Sequence, residues 1–424
     1  MLLLNLSHYY RRWLAIAILI MLPLFARNAE ADARDTFNLN VGTNIMYDSN
    51  VFRLSPVIDP VTILGQPTKS DQIITSTAAL SLNKFYGLQR FEANGSIVDN
   101  RYHNFDFLNF IGKNYLAAWH WQLTPYLHGK LSSDYKESLN NFANLTGFIN
   151  STNRNLRTDT NQRFDGIFEI NRALHVVGGV SEAKLENSQL TVQDFDNKVL
   201  SVEGGLRYVF PSGSSLTYKT RIGDGDFFKR PQPITSSLFD TGFKETEHGL
   251  QLIWPVTIKT SIDARIAHLD RKHDHFSQRN FAGFVGNFDF NWNVTSKTRL
   301  TASWTRTLSN FQTAATFQLT QFQPFSSSYA ATNRLSLMPV WQISEKTTLR
   351  LRYDYITRDF LGAVIPIPGD HRTDTQHTGL IAMDWQPLNS LFVSASLQRD
   401  HRSSNLETYK YDNTIATISA RLNF

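Results

Sequence analysis

The feature that most constrains this chain is a hydrophobic alternation of period two, held over long segments and repeated along most of the sequence. Phe37, Leu39, Val41, Ile45 and Tyr47 share one parity, while Asn38, Asn40, Asn44 and Asp48 share the other. Phe284, Phe288, Phe290 and Trp292 oppose Asn287, Asp289 and Asn291 in the same way, and Leu349, Leu351, Tyr353 and Tyr355 oppose Arg350, Arg352 and Asp354. Successive side chains of a strand point to opposite faces, so each segment has one greasy and one polar face. Segments of roughly 10–14 residues exceed the ~5–6 usual in soluble sheets. They suit a tilted strand that crosses a bilayer in about 9–11 residues. A bundle of apolar helices is excluded by a mean hydropathy of −0.30. The absence of cysteine removes disulfides, thiolate metal sites and thiol nucleophiles together.

A short connection recurs. Trp254-Pro-Val-Thr-Ile-Lys-Thr260 resembles Trp292-Asn-Val-Thr-Ser-Lys-Thr298, and Trp341-Gln-Ile-Ser-Glu-Lys-Thr347 matches both. Trp121-Gln-Leu-Thr-Pro125 and Trp385-Gln-Pro-Leu-Asn389 are weaker copies. Three more, Lys84 to Leu88, Asn171 to Ala173 and Pro211 to Ser214, lack Trp. Neighbouring turns stand roughly 37–49 residues apart, room for two long strands and one longer loop. The unequal loops argue for hairpins rather than a solenoid. Eight turns join sixteen strands, and one further strand at each end gives about eighteen, or sixteen if Thr36 to Tyr47 folds otherwise. The expected fold is therefore all-β: a transmembrane antiparallel β-barrel with short periplasmic turns and long extracellular loops.

Trp121, Trp254, Trp292, Trp341 and Trp385 each immediately precede a turn, as an outward-facing girdle at one membrane interface requires. Tyr47, Tyr135 and Tyr355 stand at the opposite strand ends, where a second girdle would lie. The final strand, Tyr411 to Phe424, puts Ala416, Ile418, Ala420, Leu422 and Phe424 on one face and Thr417, Ser419, Arg421 and Asn423 on the other. This ending predicts recognition by barrel-assembly machinery, with outer-membrane lipid and lipopolysaccharide around the finished barrel. At the other end, Arg11 and Arg12 precede an apolar run, and Ala29-Glu30-Ala31 offers small residues for cleavage. Residues 1–31 read as a signal peptide and 32–424 as one barrel domain.

Polar-parity residues should line the interior. The bases are Lys130, Arg207, Lys219, Arg221, Arg265, Arg299, Arg350, Arg352 and Arg421; the acids are Glu92, Asp165, Glu169, Glu203, Asp263, Asp289, Asp354 and Asp384. The near balance predicts mutual ion pairs rather than a basic funnel for a polyanion. A local basic patch around Lys219, Arg221, Arg350 and Arg352 would depend on spatial neighbours. The net charge of +5 is interspersed, so no nucleic-acid partner is expected. Among the loops, Glu137 to Thr160, Gly223 to Phe243 and Ser309 to Ser327 mix polar or charged side chains with aromatics, a composition that suits sugar contact or ordinary loops.

Phosphate-binding, zincin and nucleophile-elbow motifs are missing, and no cofactor or resident metal is expected. In Asp270-Arg-Lys-His273-Asp274-His275, the two His share a strand parity and could bind a divalent ion or work with Asp274 in acid–base chemistry. A solvated strand end is the plainer reading, and the chain is not expected to be an enzyme.

The opening stretch Asp35-Thr-Phe-Asn-Leu-Asn-Val-Gly-Thr-Asn-Ile-Met-Tyr-Asp-Ser-Asn-Val-Phe-Arg53 resembles that of the EpsL family. Collinear similar stretches follow at Ser81 to Lys84, Tyr102 to Phe110, Arg207 to Tyr218 and Arg230 to Asp240. The resemblance implies an outer-membrane protein associated with exopolysaccharide biosynthesis and the exosortase B/PEP-CTERM system. It implies an exopolysaccharide as cargo and periplasmic or inner-membrane export machinery as partner, with no catalytic residues to carry over. A passive conduit for polysaccharide is the leading expectation. A general or selective porin, an enzyme modifying the polymer and a plugged scaffold are the alternatives.

Overall fold

The structure, a computed structural model, describes residues 36–140, 142–144, 154–230, 240–313, 327–363 and 371–424. The expected signal peptide, residues 1–31, lies outside them.

Eighteen strands follow in chain order. The first six are β1 (Phe37–Asp48), β2 (Asp71–Tyr86), β3 (Gln89–Tyr102), β4 (Phe110–Gln122), β5 (Leu127–Leu139) and β6 (Leu156–Glu169). Then come β7 (Leu174–Asn187), β8 (Asn197–Val209), β9 (Ser215–Asp226), β10 (Gly242–Thr257), β11 (Thr260–His273) and β12 (Phe281–Asn293). The last six are β13 (Thr298–Thr313), β14 (Ser327–Ser344), β15 (Thr347–Leu361), β16 (Thr373–Trp385), β17 (Leu391–Ser404) and β18 (Tyr411–Asn423). Each strand pairs antiparallel with its chain neighbours, and β1 pairs with both β2 and β18, so the sheet is a closed barrel. Sixteen strands is therefore too few: Phe37–Asp48 is the closing strand. Closure leaves no sheet edge with unpaired backbone groups.

The eight short turns fall where the sequence put them, between β2 and β3, β4 and β5, and so on to β16 and β17. Strands run further into the long connections than the sequence segments did. Gly223 to Asp226 belongs to β9, and Gly242 and Phe243 to β10, so the fifth loop shrinks to residues 227–241. Likewise β5 reaches Leu139 and β13 reaches Thr313. Polar strand ends continue the ladder beyond the lipid-facing band, where side-chain polarity no longer marks the strand.

Register fixes which side chains point outward. Trp292 pairs with Thr260, Trp341 with Thr298 and Trp385 with Thr347, so the repeated Trp-to-Thr spacing sets these rings at one level. Trp254, Trp292, Trp341 and Trp385 are exposed on the outer face. Trp121 is outward too, yet only 6% exposed, because its ring lies across Gly129 and Gly166 and stacks on Phe164 at 5.6 Å. A Cβ at Gly129 would stand 2.0 Å from the Asp165 carbonyl oxygen and 2.5 Å from the Trp121 ring. Glycine is required there by close approach.

Over the long-loop end, connections one to three share a small apolar core. Phe52 and Leu54 from the first loop pack with Phe105 and Leu108 from the second and with Phe142 from the third. The first loop also holds a short helix, α1 (Pro60–Leu64), capped by Asp59 at its start and by Gly65, at φ +70°, at its end.

Candidate functional site: the barrel interior

The interior wall is built by parity. Along β15 the outward residues Leu349, Leu351, Tyr353 and Tyr355 alternate with inward Arg350, Arg352, Asp354 and Ile356, and Asp354 pairs in register with Ser336 and Thr378 on the flanking strands. The same rule turns Lys130, Arg207, Lys219, Arg221, Arg265, Arg299 and Arg421 inward with Glu92, Asp165, Glu203 and Asp384.

Most of these bases meet an acid or a polar neighbour. Arg221 reaches Glu245 at 3.3 Å and Glu247 at 3.0 Å, and Arg265 also binds Glu247. Lys219 pairs with Glu203 at 3.0 Å, which Arg163 binds as well. The Arg350 guanidinium donates to Asp384 Oδ1 at 2.8 Å, and Arg352 binds Asp354 Oδ2 at 2.8 Å. Lys130 stands in register with Asp165, Arg207 donates to the Thr217 hydroxyl at 3.2 Å, and the Arg421 guanidinium lies over the Phe392 ring. The wall is a set of paired charges.

The basic patch imagined around Lys219, Arg221, Arg350 and Arg352 does not form. β9 and β15 are six strands apart on the ring, and each pair is held by its own carboxylates. A different set gathers instead. A cavity of about 530 Å³ is bounded by Arg334, Arg352 and Arg358 with Gln376, Thr378 and Asp400 on one side, and by Arg53, Tyr102 and Phe142 on the other. Arg334 donates to Asp354 Oδ2 at 2.8 Å, and Thr378 and Gln398 donate to Asp400. Arg334 and Arg358 are not among the expected interior bases, yet parity marks both: Arg358 has the parity of Arg350, Arg352 and Asp354, and Arg334 on β14 has that of inward Ser336. No periodic signal marks Arg53, which sits in a loop at φ +55° and pairs with Asp48 at 2.9 Å. A side chain other than glycine at such a φ is uncommon and is held there by its surroundings.

One connection crosses the mouth. The third loop, at Phe142–Asn144, places the Ala143 carbonyl where Arg402 Nη2 donates to it at 2.8 Å. Arg402 is on β17, on the parity of cavity-lining Gln398 and Asp400, six strands from β5.

The His273–Asp274–His275 expectation is corrected. β11 ends at His273, which is buried against Phe243 with neither ring nitrogen hydrogen-bonded. His275 lies in the following loop with Nδ1 3.1 Å from Asp240 Oδ1, so the two rings share no face. Among the described residues no group of three potential ligands could hold a metal ion. Asp240 is fully buried in this loop cluster. Burial pushes its pKa up, but hydrogen bonds from the His275 side chain and from the backbone N–H groups of His275, Phe276 and Thr241 prevail and hold it below the usual carboxylate value.

The loop readings fare unevenly. Phe227 is buried under Phe243 and the Arg230 guanidinium, 3.6 Å from its ring centre, so it is not free to stack on a sugar. Phe239 and most of the Ser309 to Ser327 stretch lie outside the described residues.

No protein-family model matches the chain, and no curated protein does. Solved structures similar to it include the outer membrane protein OpdK from Pseudomonas aeruginosa, 11% identical, with 92% of this chain and 99% of that one covered at a TM-score of 0.47. Another is OccK2 (OpdF) from Pseudomonas aeruginosa in complex with glucuronate, 9% identical, with 92% and 98% covered at 0.49. A third is OccAB3 from Acinetobacter baumannii, 9% identical, with 92% and 99% covered at 0.45. Closure, strand number, outward apolar face and polar interior define the class here: a porin-like β-barrel of the outer membrane.

Proposed function

We propose that this barrel is a passive conduit through which an exopolysaccharide crosses the outer membrane. The observation that carries the reading is the interior wall of guanidinium, carboxylate, amide and hydroxyl groups that are largely paired with one another. Such a wall offers many exchangeable hydrogen bonds to a polyhydroxylated chain and no single deep trap, which is what conduction of a bound cargo needs. The resemblance of Asp35 to Arg53 and the later stretches to EpsL proteins supplies the cargo class. Driving force would come from synthesis or from a periplasmic or inner-membrane machine. The C-terminal strand, which closes against β1 through Phe424, would be the segment read by barrel-assembly machinery. No chemical step is assigned to the barrel.

The test is a planar bilayer holding the purified barrel, with oligosaccharides hydrolysed from the producing cell's own polymer added on one side. Interruptions of current whose frequency rises with concentration support the conduit. Unperturbed current at high oligosaccharide concentration contradicts it. A second reading, a porin for small solutes, is favoured by the Ala143 crossing, which narrows the mouth. Under that reading small sugars pass while longer oligosaccharides fail to enter.

A further inference from the structure

On the β14–β17 wall, arginines outnumber the carboxylates that hold them. Arg334 and Arg352 share the single carboxylate of Asp354, each at 2.8 Å. Arg372 and Arg402 share that of Asp374, at 2.6 and 3.8 Å. Arg358 lies between these two triads. Its register partner is Asp374, which is already taken, and its Nη1 donates instead to the amide oxygen of Gln376 at 3.0 Å. Among the described residues no carboxylate forms an ion pair with it. The Nε atoms of Arg334 and Arg352 are buried and without a hydrogen-bond partner. Arg334, Arg352 and Arg358 all face the same 530 Å³ cavity, a volume within the usual range for a small-molecule site.

We propose that this cavity binds the carboxylate of an acidic sugar unit in the polymer, with Arg358 as its principal partner. A guanidinium is a planar fork suited to bidentate capture of a carboxylate, and one facing a neutral amide has that capacity in reserve. The neighbouring Gln376, Thr378 and Gln398 side chains supply donors and acceptors for hydroxyls. Asp354 and Asp400 keep the site only weakly cationic, so the anion is held briefly and released. This assignment rests on the saccharide-path reading and narrows it from any polysaccharide to one carrying carboxylates.

The test uses the whole barrel in planar bilayers with three probes: tetragalacturonate, maltotetraose and free galacturonate. Tetragalacturonate should interrupt current for at least about tenfold longer than maltotetraose, the scale of one charge-assisted pair. In Arg358→Gln the difference should collapse, while Arg358→Lys, which keeps the charge without the fork, should retain part of it. Heat-modifiable mobility on gels shows that each variant is folded, and the Lys variant keeps the test alive if the Gln variant is not. Equal dwell times for the two tetramers in the wild type, or an undiminished preference in folded Arg358→Gln, overturns the acidic-sugar site and leaves the saccharide path intact. Free galacturonate held as long as its tetramer assigns the site to a small carboxylate and also overturns the proposal. No interruption by any probe overturns both the site and the conduit.

Discussion

Asn50 shows how one side chain can hold a loop in place. It is fully buried; its Nδ2 donates to the carbonyls of Leu54 at 2.9 Å and Asp412 at 3.2 Å, and its Oδ1 accepts from the Leu54 N–H at 2.9 Å. It thus ties the first loop to the start of β18. Asn50→Ala would strand buried backbone groups at a cost of about 1–3 kcal/mol. The expected outcome is faster proteolysis of the first loop with the barrel's heat-modifiable mobility retained; unchanged cleavage would show that the apolar core around Phe52 suffices. Asp240 makes a pH prediction. Its folded pKa is depressed, so its contribution is complete above the unfolded value and is lost as pH falls through the folded one. Protection of the loops around Asp240 and His275 from acid-active protease should therefore fade below about pH 4, near the ordinary Asp value, and Asp240→Asn should remove that dependence. A wild-type profile flat down to pH 2 would contradict the assignment.

At the scale of elements, the strands were legible because a membrane barrel writes its fold in alternation. Leu349 to Tyr355 and Phe37 to Tyr47 could be placed face by face, and the turns by the Trp-to-Thr repeat. What the pattern could not show was contact between distant strands. Arg53, in the loop after β1 and at positive φ, faces Arg334 and Arg358 of β14 and β15 because the ring closes, and Arg402 of β17 meets the Ala143 carbonyl of the third loop for the same reason. The buried state of Trp121 was equally invisible, since it depends on Gly129 and Gly166 opposing it on the next two strands. That contact predicts that Gly129→Leu displaces the ring and strains β5, an overpacking cost of about 1–3 kcal/mol or more. The unfolding midpoint by heat-modifiability should fall clearly. An unchanged midpoint would mean that the wall yields where the geometry says it cannot.

For the molecule as a whole, the interior charges largely cancel, with a modest excess of arginine on the β14–β17 wall. A tenfold salt gradient across a bilayer should give a small reversal potential of the sign for weak anion preference. Strong cation selectivity would contradict the assignment of the interior face. The most direct test of the conduit is to delete the gene and measure where the polymer accumulates. Normal synthesis with polysaccharide retained in the periplasm, reversed by the wild-type barrel, is the expected result. Secretion into the medium at the normal level and chain length would contradict it.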